Sequence, residues 1–323
     1  MFFCFNPSGT GSDQIMPSIL LNSIFPIFSL IFLGYILKEK KVIDQAFSNS
    51  ANQIIFNIAI PAMLLNEIGR VSFWDNFNLR AVGCALGAIA IIVFTSMAAV
   101  RMLSVRESRR GTFLQSTYHS NIGYMAYAIG FYALGESSFA RMAILSSFLL
   151  VGQNIISVWV LTSYNPELRL NGQKGLILRN IIKNPIILSL AGAIVYSASG
   201  LKIPLPLQKG LDMLGGMALP TGLMLIGSTL SFGAMKSMLK EIVSIGMLKL
   251  FALPLVGYFL MLATQVPEPL VLPGVILLAS PPATMSYVLA KELGGDAELA
   301  ATSISVFTLA SAVPYTAIIA LLA

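Results

Sequence analysis

Apolar stretches of about twenty residues, the length that crosses a hydrocarbon core, follow one another along most of this chain. They predict ten helical spans at 18–37, 51–68, 79–100, 111–134, 139–163, 185–201, 211–230, 242–263, 270–290 and 297–322. Polar, helix-breaking residues interrupt the fourth and ninth spans. One interruption is His119-Ser120-Asn121-Ile122-Gly123-Tyr124-Met125-Ala126-Tyr127, the other Ala279-Ser280-Pro281-Pro282-Ala283-Thr284-Met285-Ser286-Tyr287. They are in register, since 121 + 160 = 281, 125 + 160 = 285 and 127 + 160 = 287. A break in a membrane helix frees backbone groups, so it is tolerated where it is buried in protein or lines a cavity.

The register extends beyond the breaks. Pro26 matches Pro185 and Pro61 matches Pro220 at an offset of 159, while Gly135 and Ala140 match Gly295 and Ala300 at 160. Residues 16–163 and 185–323 thus read as two five-span halves joined by a polar, basic connection at 164–184. An odd number of spans per half inserts the second half upside down. Inverted repeats with interrupted helices in corresponding positions point to a secondary transporter's binding site. Residues 1–15 carry neither a basic n-region nor a long apolar run, and read as a disordered leader or a misassigned start.

Asn121 and Pro281 each lie about ten residues into their spans, roughly 15 Å deep, so both breaks are expected at the midplane. After each break a new half-helix begins, near Tyr124 and near Ala283, with first N–H groups that lack intrahelical partners. Such termini carry partial positive charge and bind anions. Approaching from opposite sides, they would share a focus suited to a small carboxylate, with Asn121, Ser280 and Thr284 adding side-chain hydrogen bonds. Substrate contacts are therefore expected along Asn121, Ile122, Gly123 and Tyr124, and along Ser280, Pro281, Pro282, Ala283 and Thr284.

Composition agrees with lipid as the main solvent: 56% of the 323 residues are hydrophobic and 11% charged, where a soluble domain has about a quarter charged. The formal net charge of +6 lies in short loops, which reads as topology and not as a nucleic-acid patch. Fourteen Lys/Arg fall in one set of loops and five in the other, so the richer side is expected to face the cytoplasm, with both termini outside the inner membrane. The two cysteines, Cys4 and Cys84, make neither a disulfide framework nor a metal cluster. No Asp or Glu lies deep in a span, which disfavours a buried-carboxylate exchanger. Neither a zinc-hydrolase motif nor paired deep carboxylates are present, so an enzyme is not expected.

Four further polar features bear on the site. Gln153 and Asn154, in the middle of the fifth span, are expected to line it, because unpaired amides there are costly. Asn57 and Pro61 follow Gln53 along one face of the second span, and Pro220 is Pro61's counterpart. They read equally as gating residues or as a polar seam between helices. His119, the single histidine, would carry a coupling proton or act as a hydrogen-bonded packing residue, the second being the commoner use. Lys249, a third of the way into the eighth span, is expected to snorkel to the interface rather than attract an anion.

At these residues the chain resembles the auxin efflux carrier family, in particular its bacterial small-carboxylate permeases, among them malonate and malate carriers. The most specific parts are Asn121-Ile122-Gly123-Tyr124-Met125 and the run from Ser280-Pro281-Pro282-Ala283-Thr284-Met285 to Asp296. The resemblance implies an all-α membrane protein of ten transmembrane helices in two inverted five-helix repeats. Helices 4 and 9 would be broken and crossed, as in sodium/proton exchangers and bile-acid transporters. It further implies a dimerising scaffold domain from spans 1, 2, 6 and 7, and a transport domain from spans 3–5 and 8–10 that moves like an elevator. Where relatives often place Gly and Pro after the first motif, this chain has Ala126 and Ala128. The expected function is secondary transport of a mono- or dicarboxylate with no cofactor. The alternative is a Na⁺- or H⁺-coupled symporter or cation exchanger on the same fold.

Overall fold

A computed structural model describes residues 24–165 and 183–322. The proposed leader, residues 18–23 of the first span and most of the basic connection lie outside the described residues. Within them the protein is helical, with no strand. We label the helices α1 (Phe25–Glu39), α2 (45–69), α3 (Leu79–Met102), α4a (Glu107–Tyr118), α4b (Ile122–Leu134), α5 (Glu136–Ser163) and α6 (Pro185–Ala198). They continue as α7 (Leu205–Thr229), α8 (Met235–Ala263), α9a (Glu268–Ala279), α9b (Met285–Glu292), α10a (Ala297–Ala310) and α10b (Ala312–Leu322). Helices α3, α5, α7 and α8 are long and apolar enough to cross a membrane, and α10a with α10b, bent by 43°, forms a fifth such unit. Shorter apolar helices are α4b, α6 and α9a.

Two irregular turns have a covalent cause. Proline cannot donate a backbone hydrogen bond, and its ring crowds the carbonyl four residues back. In α2 the residue before Pro61 donates to a carbonyl five residues back, Ile60 N to Ile55 O, which makes a π turn of Ile55–Ala59. In α8 the residue before Pro254 does the same, Leu253 N to Leu248 O, and Met247–Ala252 is a π turn. In α7 the carbonyl four residues before Pro220 belongs to Gly216, where the first part of that helix ends. Such wide turns re-aim the side chains they contain, which here are Phe56 and Lys249.

Helix packing sorts into two neighbourhoods. α1 lies along α7, and α2 packs between α6 and α7. The approach of α1 to α7 depends on glycine, because a Cβ at Gly34 would fall on the Met224 carbonyl and one at Gly227 on the Ile31 carbonyl. In the other neighbourhood α3 packs on α4a and α8, and α5 on both halves of α4 and on α9a. There α10a lies against α4a and α9b, and α10b against α9a. Helix α5 also meets α2 and α6, so it stands between the neighbourhoods.

A nearly dry ion cluster ties the second neighbourhood together at one end. Arg109, ahead of the apolar part of α4a, bridges Glu241 at 3.0 Å and Asp296 at 3.0 Å. Asp296 also caps α10a by accepting from Leu299 N, and its own N–H donates to Thr112 Oγ1. Burial works against the Arg109 charge, but hydrogen bonds and attraction from Glu241 and Asp296 outweigh it and hold the guanidinium above its ordinary range. Removing the bridge would leave two carboxylates in one low-dielectric pocket. We therefore expect Arg109→Met to cost about 3–5 kcal/mol, read as a lower apparent unfolding temperature in detergent; an unchanged temperature would mean that the cluster does not hold the helices.

Candidate functional site

The two predicted breaks meet. α4a ends at Tyr118 and α4b starts at Ile122, while α9a ends at Ala279 and α9b starts at Met285. Between them the extended segments run antiparallel, as a bridge of Ser120 with Pro282. Asn121 N donates to Pro281 O at 2.8 Å, Ala283 N donates to His119 O at 2.9 Å, and Ser280 Oγ donates to Asn121 O at 2.8 Å. Each break thus satisfies backbone groups that the other frees, as burial away from water requires. Pro281 cannot donate, but its carbonyl is the acceptor this pairing uses.

Four half-helix ends converge here. Two are C-terminal, from α4a and α9a, and carry partial negative charge. Lys249 answers both: it is fully buried, and its Nζ donates to Tyr118 O at 3.2 Å, Leu278 O at 3.1 Å and Ser120 Oγ at 2.5 Å. The expectation that Lys249 snorkels is therefore overturned. The π turn of α8 carries the side chain inward, where three acceptors replace the water it would otherwise seek.

The other two ends are the N-termini of α4b and α9b, and they border one narrow cavity of about 40 Å³. Asn121, Ile122 and Gly123 line it from one break; Ala283, Thr284 and Met285 line it from the other. Asn121 Oδ1 caps α4b by accepting from Tyr124 N at 3.4 Å, and α9b has no side-chain cap. The Asn121 amide is 3% exposed, and its Nδ2 has no acceptor among the described residues. Buried donors without partners are costly, so this N–H is suited to an incoming acceptor.

The remaining sequence candidates divide. Asn154 lines the cavity, its Nδ2 donating to Leu150 O at 2.7 Å, while Gln153 Oε1 accepts from Ser120 N at 3.2 Å and its Nε2 has no partner among the described residues. His119 borders the cavity with Nδ1 3.1 Å from Ser157 Oγ and 3.3 Å from Ser286 Oγ. The Tyr124 side chain turns away: its ring packs edge-on against Phe56 and its hydroxyl donates to Asn52 Oδ1 at 2.5 Å. Ser280, Pro281 and Pro282 build the crossing without lining the cavity. Asn57 is exposed and donates to Gln53 O, so it is not brought to the site. Pro61 and Pro220 act through the helix irregularities described above.

Sequence reasoning missed Phe56, Leu150, Asn184 and Ile186, which close the cavity from α2, α5 and α6. For Asn184 a signal existed. It immediately precedes Pro185 and an apolar run, the pattern of an N-cap with proline at the first helical position. Its Oδ1 indeed accepts from Ile186 N and Ile187 N.

Comparison with known proteins points to membrane transport. A family model described as membrane transport protein matches residues 19–319. The chain is 27% identical over 307 residues to a Rhizobium meliloti (strain 1021) protein named "Putative malonate transporter", covering 93% of this chain and 94% of the relative. It is 23% identical over 306 residues to an "Uncharacterized transporter" of Methanothermobacter thermautotrophicus, covering 90% and 94%. The chain therefore belongs to the membrane transport protein family, the auxin efflux carrier family that its paired broken-helix motifs resemble.

Proposed function

We propose that this protein is a secondary transporter of small organic anions, mono- or dicarboxylates with malonate as the first candidate, and that the crossing is its binding site. The observation that carries this reading is the cavity where two half-helix N-termini and the unpartnered Asn121 Nδ2 converge. Lys249 places its Nζ against Ser120 of the cavity wall, where an anion would favour its ammonium form, and no carboxylate lines the cavity to oppose an anion. The malonate assignment of a relative alike over nearly its whole length supports the substrate class.

The architecture we infer is ten spans in two inverted repeats, supported by the antiparallel pairing of the breaks and the residue register between halves. The grouping of α1, α2, α6 and α7 apart from α3–α5 and α8–α10 supports a scaffold and a transport domain. The cavity borders both groups, so an elevator-like displacement of one past the other would carry its contents. A homodimer through the scaffold group, residence in the inner membrane and termini on the outer side complete the reading. Coupling to Na⁺ or to H⁺ is the alternative reading on the same fold.

Uptake into proteoliposomes tests the reading. Radiolabelled malonate is expected to enter vesicles bearing the protein faster than protein-free vesicles, and choline is not. Imposing a Na⁺ or a pH gradient separates coupled symport, which either would accelerate, from uniport, which neither would. Malonate, succinate and acetate all entering at the protein-free rate would refute carboxylate transport.

A further inference from the structure

A second groove runs along α8, between it and α10a. Met235, Leu239, Gly246 and Leu250 of α8, with Phe307 and Ala310 of α10a, bound a groove of about 300 Å³ with wholly apolar walls. Its outer rim is a stripe at four-residue spacing, Leu239, Val243, Met247 and Phe251, each exposed by 45–59%. Gly246 lets the floor close down on α10a, because a Cβ there would meet the Phe307 ring at 2.6 Å.

From Leu239 to Phe251 the helix rises about 18 Å, close to the roughly 15 Å of hydrocarbon in one leaflet. One end of this groove is charged. Lys236 and Lys240 are exposed beside Met235 and Leu239; Lys240 Nζ donates to Leu103 O, and Lys236 makes no hydrogen bond or ion pair among the described residues. The other end, at Phe251 and Ala310, is apolar. An apolar slot one leaflet deep with cations at one mouth matches a molecule that is a chain at one end and an anion at the other.

We propose that this groove binds an acyl chain of an anionic phospholipid, whose phosphate lies against Lys236 and Lys240. The site is independent of what the crossing carries and sits on helices of the neighbourhood that contains both breaks. A lipid seated there would tie α8 to α10a.

Thermal unfolding of the purified, delipidated full-length protein in detergent provides the test, with phosphatidylglycerol and phosphatidylcholine of identical chains as probes. Phosphatidylglycerol is expected to raise the apparent unfolding temperature at lower concentration than phosphatidylcholine, by about fivefold for each lysine engaged. Lys236→Glu should remove that preference while leaving the protein folded. Ala310→Phe and the milder Val243→Trp, at a position already exposed, fill the groove and should abolish stabilisation by both lipids. Equal response of the native protein to both lipids would mean annular contact only and overturn the proposal. Full phosphatidylglycerol stabilisation of both groove-filling variants would place the lipid elsewhere and overturn it too. So would a native dimer, unresponsive to lipid, that Val243→Trp converts to monomer, since a second copy would then cover this face.

Discussion

Lys249→Met is expected to lower carboxylate uptake by on the order of thirtyfold or more while costing only a few kcal/mol of stability. The two effects have different origins. Burying an ammonium costs several kcal/mol, which the three hydrogen bonds to Tyr118 O, Leu278 O and Ser120 Oγ offset. Methionine removes that cost along with the bonds, but orphans Leu278 O and leaves Tyr118 O with the 3.4 Å bond from Ser120 Oγ, at about 1–3 kcal/mol each. These contributions largely cancel, leaving a modest net loss. Nothing cancels the effect on an anion at the crossing. An anion bound there favours the ammonium form, and losing that unit charge at an effective dielectric near 20 is worth about 2 kcal/mol or more over short distances, which is the thirtyfold. Lys249→Gln separates charge from geometry, since it keeps donors for the half-helix ends without the ammonium. Paired uptake and thermal-unfolding measurements decide the matter. Native uptake rates in Lys249→Met would show that the lysine only packs the crossing.

Asn121→Asp carries the second large effect, about a hundredfold loss of carboxylate uptake with the fold intact. Asp retains the oxygen that accepts from Tyr124 N, and aspartate is as good an N-cap as asparagine, so α4b keeps its start. What changes is the other arm of the side chain. The unpartnered Nδ2 donor becomes a carboxylate oxygen at the wall of the cavity. Losing a hydrogen bond to a charged group costs about 1.5–3 kcal/mol, and repulsion between like charges adds to it. The control is Asn121→Ala, which deletes cap and donor together and should lose both stability and uptake. If Asn121→Asp moves malonate as the native protein does, the anion does not sit at this helix start.

The helical membrane character and the places of both breaks were legible in the linear chain. Lipid demands long apolar runs, and a run broken by His119–Asn121 or Ser280–Thr284 stands out against them. Pro61 was read as part of a polar face and Pro254 was not singled out, and what either proline does to its helix was not legible. A π turn rotates the residues inside it, and hydropathy counting places Lys249 by its distance from the span end, which suggested the interface. Tyr124 was expected at the site as the start of a half-helix; its N–H is there, on Asn121 Oδ1, but only packing decides that its ring turns to Phe56 and Asn52 on α2.

By itself the sequence determined what rests on local chemistry and solvent: that long apolar helices follow one another, that the chain breaks at 119–127 and 279–287, and that these interruptions recur at one offset, though not the bend between α10a and α10b. Only the tertiary structure decided how the breaks use each other. Asn121 N finds Pro281 O, and Ala283 N finds His119 O, across about 160 residues of chain. It also decided that Lys249 joins Tyr118 to Leu278, and that Asn184 and Phe56 complete the cavity. The reason is physical. Helix formation and breaking are settled within a turn or two, whereas the freed backbone groups of a broken, buried helix take whichever partner the packing of distant helices brings within three ångströms or so.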